Sequence, residues 1–109
     1  MVNHIRAHHG MRRLRLDAKV SSYAWHHSLR MARQRRLFHS TDLRSHLGRW
    51  DPSAWGENVG FAPTVRGVVR AWMNSAPHRD NLLRRRYRWT GIGVVRTGGL
   101  FWITMDLWD

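Results

Sequence analysis

Apolar residues recur with a helical period along the first two-thirds of this chain and then switch to strict alternation. Val65, Val68, Val69, Trp72 and Met73 fall at i, i+3, i+4, i+7 and i+8 after Pro63-Thr64. This is the strongest periodicity in the sequence and predicts a helix whose stripe faces the core. A second amphipathic helix is expected from Ala18 to about Arg36, with Val20, Ala24, His27 and Met31 on one stripe, Tyr23 and Ala32 beside it, and Asp17 as N-cap. His27 on that stripe reads as a core histidine with a satisfied hydrogen bond. Val2–His9 predicts a short helix ended by Gly10, and Leu14 and Leu16 bracket an extended link. Thr41–Pro52 reads as a loop pinned by Trp50 and Trp55. Ser75 can cap a further helix through Leu83, since Pro77 is tolerated in a first turn.

Beyond Gly91 the pattern is a hairpin: Gly91–Arg96, a glycine turn at Gly98-Gly99, then Leu100–Trp108. In the last segment Phe101, Ile103, Met105 and Leu107 alternate with Trp102, Thr104, Asp106 and Trp108, predicting one apolar face for the helices. Two strands alone are marginal, so a third is expected around Glu57–Phe61, which would put Glu57 at a sheet edge. No repeat or linker divides the chain, so residues 1–109 read as a single α+β domain.

Composition changes this picture in three ways. Seven tryptophans supply large apolar faces, whose indole N–H groups need partners when buried. The absence of cysteine removes disulfides and thiol chemistry, and the chain contains no apolar run long enough to span a membrane and no signal peptide. A net charge of +12, carried by arginine with a single lysine, attracts polyanions or phosphate head groups. Clusters such as Arg84-Arg85-Arg86-Tyr87-Arg88 are read as solvated surface carrying the arginine bias of GC-rich coding rather than as a binding groove, and no base-reading motif for specific nucleic-acid binding is present.

Glu57 is the only glutamate, set in Trp55-Gly56-Glu57-Asn58-Val59-Gly60 between Phe38-His39-Ser40 and Ser75-Ala76-Pro77-His78-Arg79. His39, Glu57 and His78 are too widely spaced for a local metal motif, so only the fold can bring them together. Each also has a structural explanation, as a loop histidine, a turn carboxylate and a first-turn helix residue. At a helix N-terminus His78 is expected to stay neutral, keeping a lone pair for a metal or a proton.

Six segments in order resemble the bacterial branch of the CAP superfamily, or SCP domain, which unites cysteine-rich secretory, antigen 5 and pathogenesis-related 1 proteins. They are Val2-Asn3-x-x-Arg6, Ala24-x-x-His27-x-x-x-Met31-Ala32, Phe38-His39-Ser40, Gly56-Glu57-Asn58-Val59, Trp72-Met73-x-Ser75-x-x-His78-Arg79-x-Asn81-Leu82-Leu83 and Gly91-Ile92-Gly93-Val94. The resemblance implies an α-β-α sandwich with a small antiparallel sheet between helices. It assigns His39 and His78 to paired cleft histidines, which in some members bind zinc or another divalent metal, and Glu57 with Asn58 to the Gly-Glu-Asn motif. Ser75 stands where many eukaryotic members have a second cleft glutamate. Family members are usually secreted or held at the cell envelope, and a chain cut short of its leader fits this start as well as a cytoplasmic protein does.

Two functions follow from the resemblance. One is a binding module with a divalent cation at His39 and His78 and a lipid or anionic cell-envelope ligand. The other is a metal-dependent, peptidase-like hydrolase in which Glu57 is the general base on a metal-polarised water. The hydrolase meets a difficulty: zinc enzymes usually have three protein ligands, so Glu57 must choose between ligand and base. Binding is therefore the favoured expectation, with nonspecific polyanion binding through the arginines as a weaker alternative.

Overall fold

The computed structural model describes residues 1–109. In chain order its elements are α1 (Val2–His8), β1 (Arg15–Leu16), α2 (Ala18–Gln34), α3 (Leu43–His46), a 3₁₀ turn (Gly48–Trp50), β2 (Trp55–Ala62), α4 (Val65–Met73), α5 (Ala76–Leu82), β3 (Trp89–Thr97) and β4 (Leu100–Trp108). The sheet order is β1-β3-β4-β2. β4 pairs antiparallel with both β3 and β2, while β1 adds a two-residue parallel pairing to β3. The sheet is thus mixed, an antiparallel three-stranded centre with a short parallel edge, and β2 forms the opposite edge with Glu57 on it. No helix is long and apolar enough to cross a membrane.

The helices start where their sequences allow. The Asp17 carboxylate accepts the Val20 N–H at 2.9 Å and the Thr64 hydroxyl accepts the Gly67 N–H at 2.9 Å, each satisfying a first-turn donor. α2 ends at Gln34, just short of the expected limit, with Arg35 as a left-handed C-cap. The Thr41–Pro52 segment, expected as loop, contains α3 and the 3₁₀ turn. Burial of Leu43 and Leu47 against Val20 and Trp108 stabilises that local helix despite its polar composition.

Both faces of β4 are covered. Ile103, Met105 and Leu107 pack with Val68, Val69, Trp72 and Leu82 of α4 and α5. On the other face Trp102 packs with Met31 and Ala32 of α2, Thr104 bonds Ser28, and Trp108 packs on Val20. The alternation therefore does not separate an apolar from a solvated face, and Asp106 lies fully buried beneath α2. His27 is buried too, its Nε2 2.6 Å from the Phe38 carbonyl.

Candidate functional site

The β2 edge collects the cleft residues from both layers. Glu57 projects to the α2 side, where the chain leaving α2 delivers Phe38-His39-Ser40. Its Oε1 accepts the Ser40 N–H at 2.9 Å and lies 2.9 Å from His39 Nδ1, while Oε2 accepts the Ser40 hydroxyl at 2.6 Å. The carboxylate is nearly closed off, its side chain 6% exposed, whereas His39 is 62% exposed. Neighbouring Asn58 points to the other side, donating to the His78 carbonyl at 3.0 Å and accepting from Asn81 Nδ2 at 2.9 Å. Those two bonds tie α5, and His78 with it, to the strand.

Ser75 occupies the N-cap position of α5, but its hydroxyl makes no bond to the helix N–H groups. It instead lies 2.8 Å from His78 Nδ1. The hydroxyl expected to cap the helix backbone is engaged by the imidazole three residues on instead. His39 and His78 are thus each engaged through Nδ1, which leaves both Nε2 atoms for a cation or a proton. No three His, Cys, Asp or Glu side chains converge here, so any cation would have only the two imidazoles as protein ligands, fewer than the three or four usual for zinc. Burial lowers the His78 basicity, and the proximity of His39 lowers it further.

Asp106 is the residue that sequence reasoning missed. It is the register partner of Glu57 across β4 and β2, so the two carboxyls share one sheet face. No protein donor reaches either Asp106 oxygen. A hydrogen bond between the two carboxyls requires a proton on one of them. Burial, then the hydrogen bond and charge of Glu57, hold the Asp106 carboxyl well above the usual range. Burial also pushes Glu57 upward, but hydrogen bonds from Asp106, Ser40 and His39 outweigh it and leave Glu57 below its ordinary value. A neutral Asp106 beside an ionised Glu57 is the consistent assignment. An isolated acid among Trp102, Thr104 and Trp108 was the available signal.

The chain has two apolar hollows, of which one adjoins the cluster. One of about 280 Å³ borders His78 and Ser75 and is walled by Leu37, Val59, Phe61, Val68 and Trp72. The more apolar one, about 350 Å³, lies between α1, β1 and α4 over the sheet and includes Val2, Leu14, Val69, Trp72, Ile92 and Met105. It is not at the histidines, and Trp72 lines both hollows.

Helices on both faces of a short sheet, with a histidine–glutamate cluster at its outer edge, define an α-β-α sandwich of the SCP-domain class. The chain belongs to the CAP family, the cysteine-rich secretory protein family, whose profile matches residues 1–107. It is 29% identical over 109 residues to the uncharacterized protein YkwD of Bacillus subtilis (strain 168), covering 93% of this chain and 42% of YkwD, so it spans less than half of that relative. An extracellular SCP-domain protein from Bacillus anthracis str. Ames shares the fold with a TM-score of 0.83 at 25% identity, over 99% of this chain and 37% of that one. An outer surface protein from Borrelia burgdorferi gives 0.85 at 17% identity, over 99% and 86% of the two chains, a likeness of fold.

Proposed function

We propose that this domain is an extracytoplasmic binding module that takes a lipid-like or cell-envelope ligand in the cavity between α1 and α4. A divalent cation, zinc by its nitrogen donors, would be held by His39 and His78 at the β2 edge. The observation that carries the reading is the cavity itself: about 350 Å³, with eleven of its fourteen lining residues hydrophobic. That volume lies within the range of small-molecule sites and offers little to a polar ligand. The extracellular and outer surface proteins that share the fold support a location outside the cytoplasm. Binding is favoured over hydrolysis because the Glu57 carboxylate is nearly closed off from solvent and already accepts from the Ser40 N–H, the Ser40 hydroxyl and His39, which leaves little access for a water.

The test is displacement of a fluorescent sixteen-carbon fatty acid, measured beside Val94→Trp, which narrows the cavity from an exposed position on its rim. Saturable binding that weakens by about tenfold or more in the variant is expected. Absent or unaltered binding overturns the cavity assignment. Zinc calorimetry on metal-stripped protein tests the cation separately: binding lost in His39→Ala/His78→Ala supports it, and no binding by the wild type removes it. Peptide hydrolysis abolished by Glu57→Gln would replace the binding reading with the hydrolytic one.

A further inference from the structure

Arg6 is fully buried and has no carboxylate partner. Its guanidinium is satisfied by main-chain carbonyls alone: Nε donates to Arg12 at 2.9 Å, Nη1 to Leu82 at 2.9 Å and Arg84 at 3.1 Å, and Nη2 to Tyr87 at 3.1 Å. One side chain of α1 therefore fastens the loop after α1 to the chain between α5 and β3. Both tethered segments are rich in arginine and free of acids over residues 10–16 and 82–88. Where they meet, Arg12, Arg85, Arg86 and Arg88 converge with Asp109 around a hollow of about 420 Å³ that has no hydrophobic lining.

The charge in this hollow is unbalanced. Its one side-chain carboxylate is already committed, Asp109 Oδ2 accepting from Arg86 at 3.0 Å and Oδ1 from the Ser53 and Ala54 N–H groups at 2.9 and 3.1 Å. Arg6 adds a further cation beneath, its basicity lowered by burial and then by Arg12. Holding like charges together costs free energy that a bound dianion recovers, and several forked guanidiniums facing one space suit a tetrahedral oxyanion with acceptors on all sides.

We propose that Arg12, Arg85, Arg86 and Arg88 form a binding site for a phosphate group, held open by the buried Arg6. The site is separate from the histidine cluster and does not depend on the cavity reading. The phosphate can come from a soluble phosphate compound or from a phospholipid headgroup, and the chemistry at the arginines is the same.

Pyrophosphate titration of the full chain by calorimetry, at ionic strength matched with sodium chloride, tests the proposal. Arg85→Gln/Arg88→Gln is compared with Arg66→Gln/Arg70→Gln, which removes equal charge from the exposed face of α4. The expected result is saturable binding that weakens about tenfold or more in the first variant and stays within about twofold in the second. Vesicles of phosphatidylcholine with phosphatidylglycerol identify the source. Sedimentation lost in the first variant and competed by pyrophosphate points to a headgroup, and pyrophosphate binding without sedimentation points to a soluble compound. No saturable binding, or equal weakening in both variants, overturns the proposal and leaves only net-charge attraction, as would duplex DNA binding that ignores which pair is removed.

Discussion

Asp106 and Glu57 are register partners on neighbouring strands, and their carboxyls are shifted in opposite directions, upward for Asp106 and downward for Glu57, which gives the protein a distinctive response to pH. Folded Asp106 holds its proton more tightly than the unfolded side chain, whose value is about 4. Across the window from there to the raised folded value the native state carries the extra proton, so stability falls as pH rises. Glu57 and His78 act in the opposite sense because their folded values are lowered. Their contributions are present above the unfolded values, about 4.3 and about 6.5, and are lost as pH falls through the folded ones. Asp106→Asn keeps a donor toward Glu57 but removes the titration. Urea denaturation from pH 4 to pH 8 is expected to show the variant gaining stability relative to the wild type as pH increases. A difference between the two proteins that stays constant with pH would rule out the buried proton.

Among the elements, α2 packs tightly onto β3 at Gly93. A Cβ added at Gly93 would lie 2.0 Å from the Trp25 nitrogen and 2.3 Å from the Ala24 carbonyl carbon, both backbone atoms that cannot rotate away. Gly93→Ala must push the helix off the strand and is expected to cost more than about 3 kcal/mol, beyond ordinary overpacking. A melting temperature lowered by at least about 10 °C is the corresponding readout, and a drop of a degree or two would show that the layers can slide. α2, α4 and the hairpin were legible because their apolar periods are long and unbroken, and the third strand followed from the instability of two. β1 and α3 were not, because each is very short and forms only through partners distant in sequence. The same distinction governs the site. Separate motifs named His39, Glu57, Asn58, Ser75 and His78, but the diversion of the Ser75 hydroxyl to His78 and the pairing of Asp106 with Glu57 depend on helix placement and strand register.

For the molecule as a whole, the net charge of +12 is a fold-wide cost as well as an attraction. Its acids are largely engaged locally, as with Arg44 and Asp51 at 2.9 Å or Arg86 and Asp109 at 3.0 Å, so most arginines repel one another through solvent. Raising sodium chloride from 10 to 150 mM shortens the screening length from about 30 Å to about 8 Å. The melting temperature is expected to rise over that interval, and a flat or falling profile would show that the surface ion pairs outweigh the repulsion. Charge total was visible in the sequence, whereas its focus around Arg6 required knowing which loops that side chain joins.

The free margins of the sheet have a further consequence. On the β2 margin the Val59 carbonyl receives the Trp72 indole N–H at 3.0 Å, and on the β3 margin the Ile92 N–H is taken by the Ser21 hydroxyl at 3.1 Å. Side chains from α4 and α2 thereby occupy main-chain positions that another extended chain would use to dock. The tryptophan-rich hairpin is accordingly guarded against templated self-assembly, and the helices that build the interior also act as its wardens against fibrils.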